Sequence, residues 1–497
     1  MNEHSRSTRL RTVFDGSLKG SKGVSLNDLL LNGPVVQRDL FDIILLYRFG
    51  AYTITADIRH MFRNIRINPQ YTSLQNVLWR DSPNEDIKCI QLDTVTYGLK
   101  SSSYLATRCL KELSTRFNNE LPLASFILDN CCYVDDILYS NDDLSTLVTA
   151  KNELREMLAR GGFQTHKWTS NNPDVLSDIL PEQRHLNELP SPENQSFKAL
   201  GLNVDLSDDS FIISSPEPYD FKRVTKRNIL SYVCKFFDPM GYASPIIVRA
   251  KVILQKIWSA NVGWDSPLPE NIKNEWLQFI ESLNKLEPIY LSRNIPVKQA
   301  VKVELIGFAD ASSKVAYGCC TYLRVTSSTG EVLLSLLCSK SRINPLSKSL
   351  TVPRLELNAC LLLAKLVKKV YETIQLKISI HNVYLFSDSK IVLAWMKTEV
   401  AKLGAYVANR IKVVCDLTSN FHWLYVNTID NPADLVSRGI NPSDLPHSKL
   451  WWHGPDFLRN SEYPFNEHMD LPVNLPELKS ATPGSPANLP EARPPAP

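Results

Sequence analysis

Several patterns that would assign this chain to a common class are missing from it. Only 10 of its 497 residues are Cys, and no CxxC pair occurs, so a structural zinc module is not indicated. Glycine accounts for only 18 residues, which excludes a collagen-like chain. The longest apolar runs, such as Cys360–Ala364 and the one within Phe41–Tyr47, are too short to cross a bilayer. We therefore expect reduced thiols and no membrane anchor.

A strong excess of charge of either sign is also missing. Lys and Arg number 55 and Asp and Glu number 52, so any basic surface must be local. The first residues, MNEHSRSTRLRTV, lack an apolar core, which predicts an intracellular protein without a signal peptide. What is present is a core-forming composition, 43% hydrophobic, over a length that suggests two to four domains.

The first part of the chain alternates predicted strands and helices. ITADI, residues 54–58, has the pattern of a strand that ends in a carboxylate. Helices are predicted over 100–117 and 144–160, the second one stopped by two glycines. Residues 125–140 have the pattern of two apolar strands joined through an Asp-Asp pair. A polar, Pro-marked linker over 181–197 follows.

Downstream of this linker the pattern changes twice. A hairpin is predicted over 198–215, followed by helices near 224–237, 245–259 and 270–285. From residue 301, three strand-like runs precede a long amphipathic helix, a strand, two helices and a strand. The last residues, 472–497, are rich in Pro, Ala and Glu, which predicts a disordered tail.

Three carboxylates of the first part can meet at one point. Asp57 closes a predicted strand, and Asp135 and Asp136 lie in a tight turn between two others. Carboxylates at adjacent strand ends can hold two divalent cations for phosphoryl transfer. An ordinary hairpin turn is the alternative, because Asp is a common turn residue. The apolar flanks favour cations, since like charges beside a core are costly without them.

A second set of four acids occurs after residue 300. Asp310 and Asp388 end strands, Glu356 begins the long helix, and Asp434 follows the last strand. Such acids can converge at one edge of a sheet, as two-metal phosphodiester hydrolysis requires. Each acid alone also fits a solvated surface, and Glu356 fits a first-turn charge that stabilises its helix.

The motifs resemble those of a reverse transcriptase, in the same order. YVDD at 133–136 matches its active-site motif, and ADIRHMF at 56–62 matches its first carboxylate motif. RTVFDGS, VTYGLKSSS, GGFQTHKWTSN and ALGLNVD resemble the fingers, nucleotide-pocket, post-hairpin and primer-grip segments. KFFDPMGYASP and TVPRLEL point to the Pol polyprotein of BEL/Pao-type LTR retrotransposons, a segment often labelled a Pao retrotransposon peptidase.

This resemblance implies roles for individual residues. Asp57, Asp135 and Asp136 would bind two Mg²⁺, with Mn²⁺ as a possible substitute. Four further positions would contact the incoming nucleotide: Arg11 its triphosphate, Phe62 its sugar, and Tyr97 and Gly98 its pocket. Tyr97 stands where retroviral enzymes carry Gln. Phe62 is as well suited to a core position, and Arg11 to solvent.

The second acidic set resembles the Asp-Glu-Asp-Asp set of ribonuclease H. The resemblance implies that Asp310, Glu356, Asp388 and Asp434 are catalytic and bind two Mg²⁺. Cellular ribonucleases H carry a His in the loop before the last Asp, whereas YVNTIDNPAD has none. Metal exchange or product release is therefore expected to differ here.

The implied fold is α/β and α+β with several domains. We expect partial fingers and palm over 1–190, a primer-grip hairpin and thumb or connection helices over 191–300, a ribonuclease H-like mixed sheet with flanking helices over 301–445, and a C-terminal segment over 446–497. The chain starts within the fingers, so strands that carry a Lys contact to the triphosphate are expected to be missing.

The implied function is RNA-directed DNA polymerisation with ribonuclease H activity in a transposition and DNA-integration cycle. Partners would be an RNA template, a DNA primer, the RNA/DNA hybrid and dNTPs, together with protease and integrase domains encoded outside this chain. The site of action would be a cytoplasmic particle or the nucleus.

Two other functions remain to be weighed. One is a catalytically incomplete remnant that binds nucleic acid. The other, an aspartic peptidase, is rejected, because neither Asp-Thr-Gly nor Asp-Ser-Gly occurs. Basic clusters support phosphate binding but fit solvated helix faces equally well; they comprise Lys222, Arg223, Lys226, Arg227, Lys340, Arg342, Lys348 and Arg354. Trp258, Trp264 and Trp276 are expected to serve core or inter-domain packing and not as base-stacking platforms.

Overall fold

The computed structural model describes residues 14–185, 196–219, 224–346, 350–460, 472 and 474–479. Arg11, Lys222, Arg223 and Lys348, together with most of the predicted linker, lie outside these ranges. The chain is a mixed α/β protein with several sheets, as predicted.

The first sheet has the order β4-β5-β1-β6. Helices pack on it around a core that includes Ile54, Ile127 and Leu154, and a separate hairpin, β2–β3, projects from it with exposed side chains. The elements are α1 Leu26–Leu29, α2 Leu40–Tyr47, β1 Tyr52–Arg59, β2 Asn76–Trp79, β3 Lys88–Gln91, α3 Ser102–Phe117, α4 Pro122–Asn130, β4 Cys132–Tyr133, β5 Asp136–Asn141, α5 Leu144–Arg160 and β6 Gln164–Thr169.

The prediction of two strands over 125–140 is wrong in its first half. Residues 125–130 belong to α4, and only Cys132–Tyr133 is extended before the turn. Pro122 lies in the first turn of α4, where its fixed φ favours a helix. Ala124, Ile127 and Leu128 then fall on one buried helix face. A short apolar run fits a buried helix as well as a strand, and here the helix forms.

A second sheet, of order β10-β9-β8-β7, lies between the two carboxylate-bearing sheets in the sequence. Its hairpin β8–β9 and the three helices that follow agree with the predicted pattern. The elements are β7 Ser196–Ala199, β8 Leu202–Asp205, β9 Ser210–Ile213, α6 Lys226–Lys235, α7 Ser244–Ser259, α8 Glu270–Leu283 and β10 Ile289–Ser292.

The third sheet has the order β13-β12-β11-β14-β15, with three antiparallel strands followed by two parallel ones. This is the ribonuclease H-like arrangement expected from the sequence, with α9 packed on β11 and β12. The elements are β11 Ala300–Ala311, β12 Ala316–Ser327, β13 Val332–Ile343, α9 Val352–Ile374, β14 Asn382–Ser387, α10 Lys390–Lys397, α11 Ala405–Leu417, β15 His422–Tyr425, α12 Ala433–Arg438 and α13 Lys449–His453.

Residues after 445 pack against this third sheet. The Tyr322 hydroxyl donates to the carbonyl oxygen of Trp451 at 2.7 Å, and Arg324 Nε donates to that of Leu458 at 2.8 Å. Part of the predicted disordered tail also packs here: the Trp395 indole donates to the Pro476 carbonyl at 2.9 Å, and the Gly404 amide to that of Glu477 at 2.7 Å. The prediction of disorder is therefore wrong for 474–479.

Buried basic side chains join the first sheet to the later ones. Arg293 Nη1 donates to the Tyr47 carbonyl at 2.6 Å, and Lys377 Nζ donates to the Ser140 carbonyl at 2.7 Å. Backbone oxygens bind both cations, and Arg293 also donates to the Asp209 carboxylate at 2.6 and 2.5 Å, which offsets the cost of burying these charges. Within the described ranges, no helix is both long and apolar enough to cross a membrane.

Candidate active sites

Sheet register brings the first and third acids of the second set together. Asp310 lies on β11, and Asp388 comes directly after β14. These strands are parallel neighbours with Ala309 opposite Ser387, so the two acids reach the same edge of the sheet. Glu356 approaches from α9, whose first residue is Val352. The expectation that Glu356 lies in the first turn is wrong, which weakens the argument that it serves as a first-turn charge.

The three carboxylates form a compact cluster. One oxygen from each of Asp310, Glu356 and Asp388 lies within 4.8 Å of the other two. Asp310 is 2% exposed and Glu356 is 8% exposed, so two of the three charges are almost fully removed from water. An uncompensated cluster of this kind is costly, and it calls for a cation or for bound protons.

The pKa values of the cluster reflect this cost. Burial, together with repulsion from Asp388, raises the pKa of Glu356 to about 9 and that of Asp310 to about 7. A backbone hydrogen bond from Ala311 opposes the shift at Glu356, and the Ser437 hydroxyl opposes it at Asp310. At neutral pH, the cluster on its own therefore retains protons that a bound metal ion would displace.

The donor set fits a hard divalent cation. Glu356 Oε2 and Asp388 Oδ1 are buried, and neither accepts a hydrogen bond from any residue in the described ranges. Such oxygens lose the stabilisation of water without gaining a donor, so a ligand is expected. Carboxylate oxygens at this separation suit Mg²⁺, which binds through a few carboxylates, water and substrate phosphates.

Asp434 lies beside this cluster but outside the group of three. Its Oδ1 is 2.6 Å from Nε of Arg438, one helical turn later on α12. Burial raises the pKa of Asp434, with Arg438 opposing and Asp388 adding to the shift. The charge of Asp434 also raises the pKa of Asp310, while its own carboxylate is held by an arginine.

Two hydroxyl groups that the sequence analysis did not single out hold the acids in place. Ser437 donates a short hydrogen bond to Asp310 Oδ2, and Thr428 Oγ1 donates to Asp388 Oδ2 at 2.7 Å. Both lie in or beside the NPADLVSRG segment. Nothing in the sequence distinguishes them from other hydroxyls, because their role depends on tertiary packing, which for Ser437 is that of α12 against β11 and β12.

The first acidic set also assembles. Asp57 on β1 lies opposite Asp136 on β5 in the antiparallel register, and the Ile58 amide donates to the Asp135 carbonyl at 2.9 Å. Tyr133 pairs with Asp136, so Val134 and Asp135 form the hairpin turn. Burial, then Asp135 and Asp57, raise the pKa of Asp136 to about 6.

At the first site, a lysine side chain of the chain itself supplies a positive charge. Lys167 Nζ lies 2.7 Å from Asp57 Oδ2, and His166 Nδ1 lies 3.4 Å from Asp57 Oδ1. Both follow the glycine pair in GGFQTHKW, at the far edge of the sheet. Burial lowers the pKa of His166, against the attraction of Asp57. Lys167 is therefore the principal counter-charge.

The turn that carries Asp135 is strained. Val134 has φ 55°, a left-handed conformation that is costly for a β-branched residue. The Gln37 side chain accepts a hydrogen bond from the Val134 amide at 2.9 Å and so holds the turn. Strain of this kind concentrates at functional sites, where the surroundings impose it.

The predicted nucleotide-pocket residues lie near the first site with other partners. Gly98 has φ 93°, and a Cβ there would lie 2.2 Å from the Phe14 carbonyl oxygen, so glycine is required by a close backbone approach. Tyr97 packs on Phe14, with ring centroids 5.5 Å apart, and under Arg63. Phe62 packs against the core of the first sheet.

Among the curated proteins, no match is found. Similar solved structures include the foamy viral protease-reverse transcriptase in complex with double-stranded DNA in a dRH form, at 14% identity and a TM-score of 0.49, covering 80% of this chain and 60% of that one. The same foamy viral protein in complex with an RNA/DNA hybrid has 16% identity and a TM-score of 0.48, covering 80% of this chain and 46% of that one. This chain thus spans less than two thirds of either.

One family model matches, and it covers residues 225–389. Its description is a Pao retrotransposon-like RNaseH-like domain, not a peptidase. The match begins at α6 and ends directly after Asp388, so it includes three helices upstream of β11 and leaves Asp434 outside. The resemblance to Pao-type retroelements predicted from the motifs is therefore confirmed for residues 225–389, which match this RNaseH-like domain.

Proposed function

We propose that this chain cleaves the RNA strand of RNA/DNA hybrids at the site formed by Asp310, Glu356 and Asp388. The observation that carries the proposal is the meeting of these carboxylates within 4.8 Å, with buried oxygens that lack donors. Basic and aromatic side chains alone would suit a protein that only binds nucleic acid. A buried acidic cluster instead repels phosphates, and it becomes useful once cations offset that repulsion.

The chain's own residues would prepare this site for two ions. Two Mg²⁺, or Mn²⁺, would supply an activated water and stabilise the charge on the attacking and leaving oxygens. Asp310, Glu356 and Asp388 would hold them, oriented by Ser437 and Thr428. Asp434 would complete the set once its carboxylate leaves Arg438, and the freed guanidinium would then face the anionic backbone of the hybrid.

A second activity, RNA-directed DNA polymerisation, is favoured by the first site. The register of Asp57 with Asp136, and the strained turn that presents Asp135, support two-metal phosphoryl transfer from dNTPs. Lys167 would have to release Asp57 for a metal ion to bind there. Arg11, Phe62, Tyr97 and Gly98 remain the proposed nucleotide contacts.

The proposal extends to partners and place. An RNA template and a DNA primer would be the substrates, and protease and integrase domains encoded elsewhere in the polyprotein would act in the same transposition cycle. The expected site of action stays a cytoplasmic particle or the nucleus. The domain limits of 190, 300 and 445 are likewise proposals.

A cleavage assay on the full chain tests the first activity. A hybrid with a labelled RNA strand is incubated with Mg²⁺, comparing the unchanged protein with Asp388→Asn. We expect at least a roughly 100-fold loss of rate, because a metal-ligand charge is removed while shape is preserved. Asp456→Asn is the matched control, since the Asp456 side chain is fully exposed. Equal rates for the Asp388 variant and the control would exclude Asp388 as a ligand.

Primer extension on an RNA template tests the second activity separately. Asp136→Asn should abolish extension and leave hybrid cleavage unchanged, with the exposed Asp174→Asn as its control. A protein that binds hybrid but neither cleaves nor extends it would favour the nucleic-acid-binding remnant.

A further inference from the structure

Two tryptophans on the surface differ from what the sequence predicts. Trp258 is 41% exposed and Trp264 is 47% exposed, with ring centroids 5.8 Å apart and planes at 88°. The expectation of core or inter-domain packing is confirmed for Trp276, which is fully buried, and is wrong for these two. Large aromatic side chains in water commonly mark an interaction surface.

A lysine lies against both rings of this pair. Lys226 Nζ lies 4.1 Å from the Trp258 ring centroid and 5.0 Å from that of Trp264. Arg227 lies beside Trp264, but its Nε and Nη2 atoms donate to the Asp265 carboxylate at 2.8 and 2.9 Å. No ion pair joins Lys226 to an acid in the part of the chain that the structure describes. Its ammonium group therefore leaves a local positive charge beside the two rings.

Hydrogen bonds place this surface at the catalytic edge of the third sheet. Gln255, near the end of α7, donates to the Asn344 carbonyl at 2.6 Å. The Asn344 side chain in turn donates at 2.8 Å to the carbonyl of Ser312, just past Asp310 on β11. Trp258 follows Gln255 by about one helical turn. The rings therefore lie beyond the sheet end at which the carboxylates meet.

From this placement we propose that Trp258, Trp264 and Lys226 bind single-stranded nucleic acid that extends from a hybrid held at Asp310. The proposal rests on the proposed cleavage of hybrids. Within a duplex the bases stack on one another, so exposed indole faces are best matched by unpaired bases. Lys226 adds the charge complementarity that a phosphate backbone needs.

The chemistry also explains why such a surface would be useful beside this site. The carboxylate cluster itself repels phosphates, so affinity for the strand has to come from groups outside it. Stacking is tolerant of sequence because every base has a π-face, which suits an enzyme that must process a whole transcript. The surface would hold the strand next to the scissile bond without reading its sequence.

Binding to two labelled RNA/DNA hybrids, measured by fluorescence anisotropy without metal, tests the proposal. One hybrid is blunt, and the other carries a single-stranded RNA extension. For the double variant Trp258→Ala with Trp264→Ala, we expect affinity for the extended hybrid to fall roughly 5- to 100-fold, the range for lost base–aromatic stacking. Affinity for the blunt hybrid should change little.

Two further variants keep this test decisive. Tyr290→Ala removes an aromatic side chain that is 59% exposed on β10, and it should bind both hybrids normally. Lys226→Gln should reduce the slope of log affinity against log salt concentration by about one, the value for one lost phosphate contact. Equal losses on both hybrids, or no loss on either, would overturn the proposal. If the double variant shows the expected loss on the extended hybrid but the unchanged protein cleaves no hybrid, only the proposed hydrolysis is contradicted.

Discussion

The two carboxylate sites of this chain are neutralised in different ways. At the first site, Lys167 lies 2.7 Å from Asp57, and the acids lie on a surface turn and an adjoining strand. At the second, no basic residue within the described ranges forms an ion pair with any of the three clustered acids, and Arg438 pairs instead with the neighbouring Asp434. The first site is thus partly neutralised by a lysine of the chain, whereas the second stores repulsion that only an external cation would relieve.

The largest expected effect of this difference is stabilisation by metal. Free Mg²⁺ at 100 times its dissociation constant should raise the free energy of unfolding by about 2.7 kcal/mol, since the folded cluster binds it and the unfolded chain does not. Urea unfolding with and without Mg²⁺ measures this gain. In Asp388→Asn most of the gain should vanish, whereas in Asp136→Asn most of it should remain. A gain that disappears only in Asp136→Asn would reverse the comparison.

The same chemical change should have opposite effects on stability at the two sites. Without metal, Glu356→Gln should raise the free energy of unfolding by about 1–3 kcal/mol, because it replaces a buried, repelled acid by a neutral isostere. Asp57→Asn should lower it by up to about 1 kcal/mol, since Lys167 is 43% exposed and the lost pair is partly screened. Chemical denaturation of both variants at pH 7.5 checks the signs. Destabilisation by both would show that the second cluster is not strained.

Much of the second site can be predicted from the sequence, and the reason is geometric. Asp310 and Asp388 end strands, and parallel strand ends meet at one edge, so their proximity follows from the order of elements. The distance of Asp434 from the group depends on a contact with Arg438, which the spacing of the two residues on α12 allows but does not require.

Tertiary packing determines what the sequence does not reveal. Gly98 suggests a nucleotide contact by motif, whereas the carbonyl of Phe14 is what requires a glycine there. Residue type alone does not separate the exposed rings of Trp258 and Trp264 from the buried ring of Trp276. Composition alone likewise cannot show that the 474–479 segment binds α10 and the start of α11.

A smaller effect concerns pH. Folding raises the pKa of Glu356 to about 9 and that of Asp310 to about 7, so between about pH 4 and those values the folded state binds more protons than the unfolded state. Stability without metal should therefore fall as pH rises, by roughly 1–2 kcal/mol between pH 7 and pH 8. Glu356→Gln should flatten this profile in parallel urea titrations. An unchanged slope in that variant would assign the effect to other groups.

The smallest expected effect is that of a supporting hydroxyl. Ser437→Ala removes the hydrogen bond to Asp310 and should weaken Mg²⁺ binding by up to about tenfold, as for other groups that orient metal ligands. Calorimetric titration with Mg²⁺ measures the change. Ser443→Ala, on the exposed turn after α12, is the matched control. A loss of equal size in both variants would point to general disturbance of this region.

The residues after 445 determine where the chain can be cut if the third sheet is to be produced as a folded fragment. Arg324 is buried beside Glu304, and it donates to the Leu458 carbonyl at 2.8 Å and to that of Asn460 at 2.6 Å. A fragment cut at residue 445 would leave this guanidinium without those acceptors and would uncover the sheet face that Trp451 fills. Because the Trp451 indole donates to the Tyr242 carbonyl at 2.8 Å, a self-standing fragment should begin before Tyr242 and continue through Lys479, where the amide still bonds to the Lys402 carbonyl at 2.9 Å.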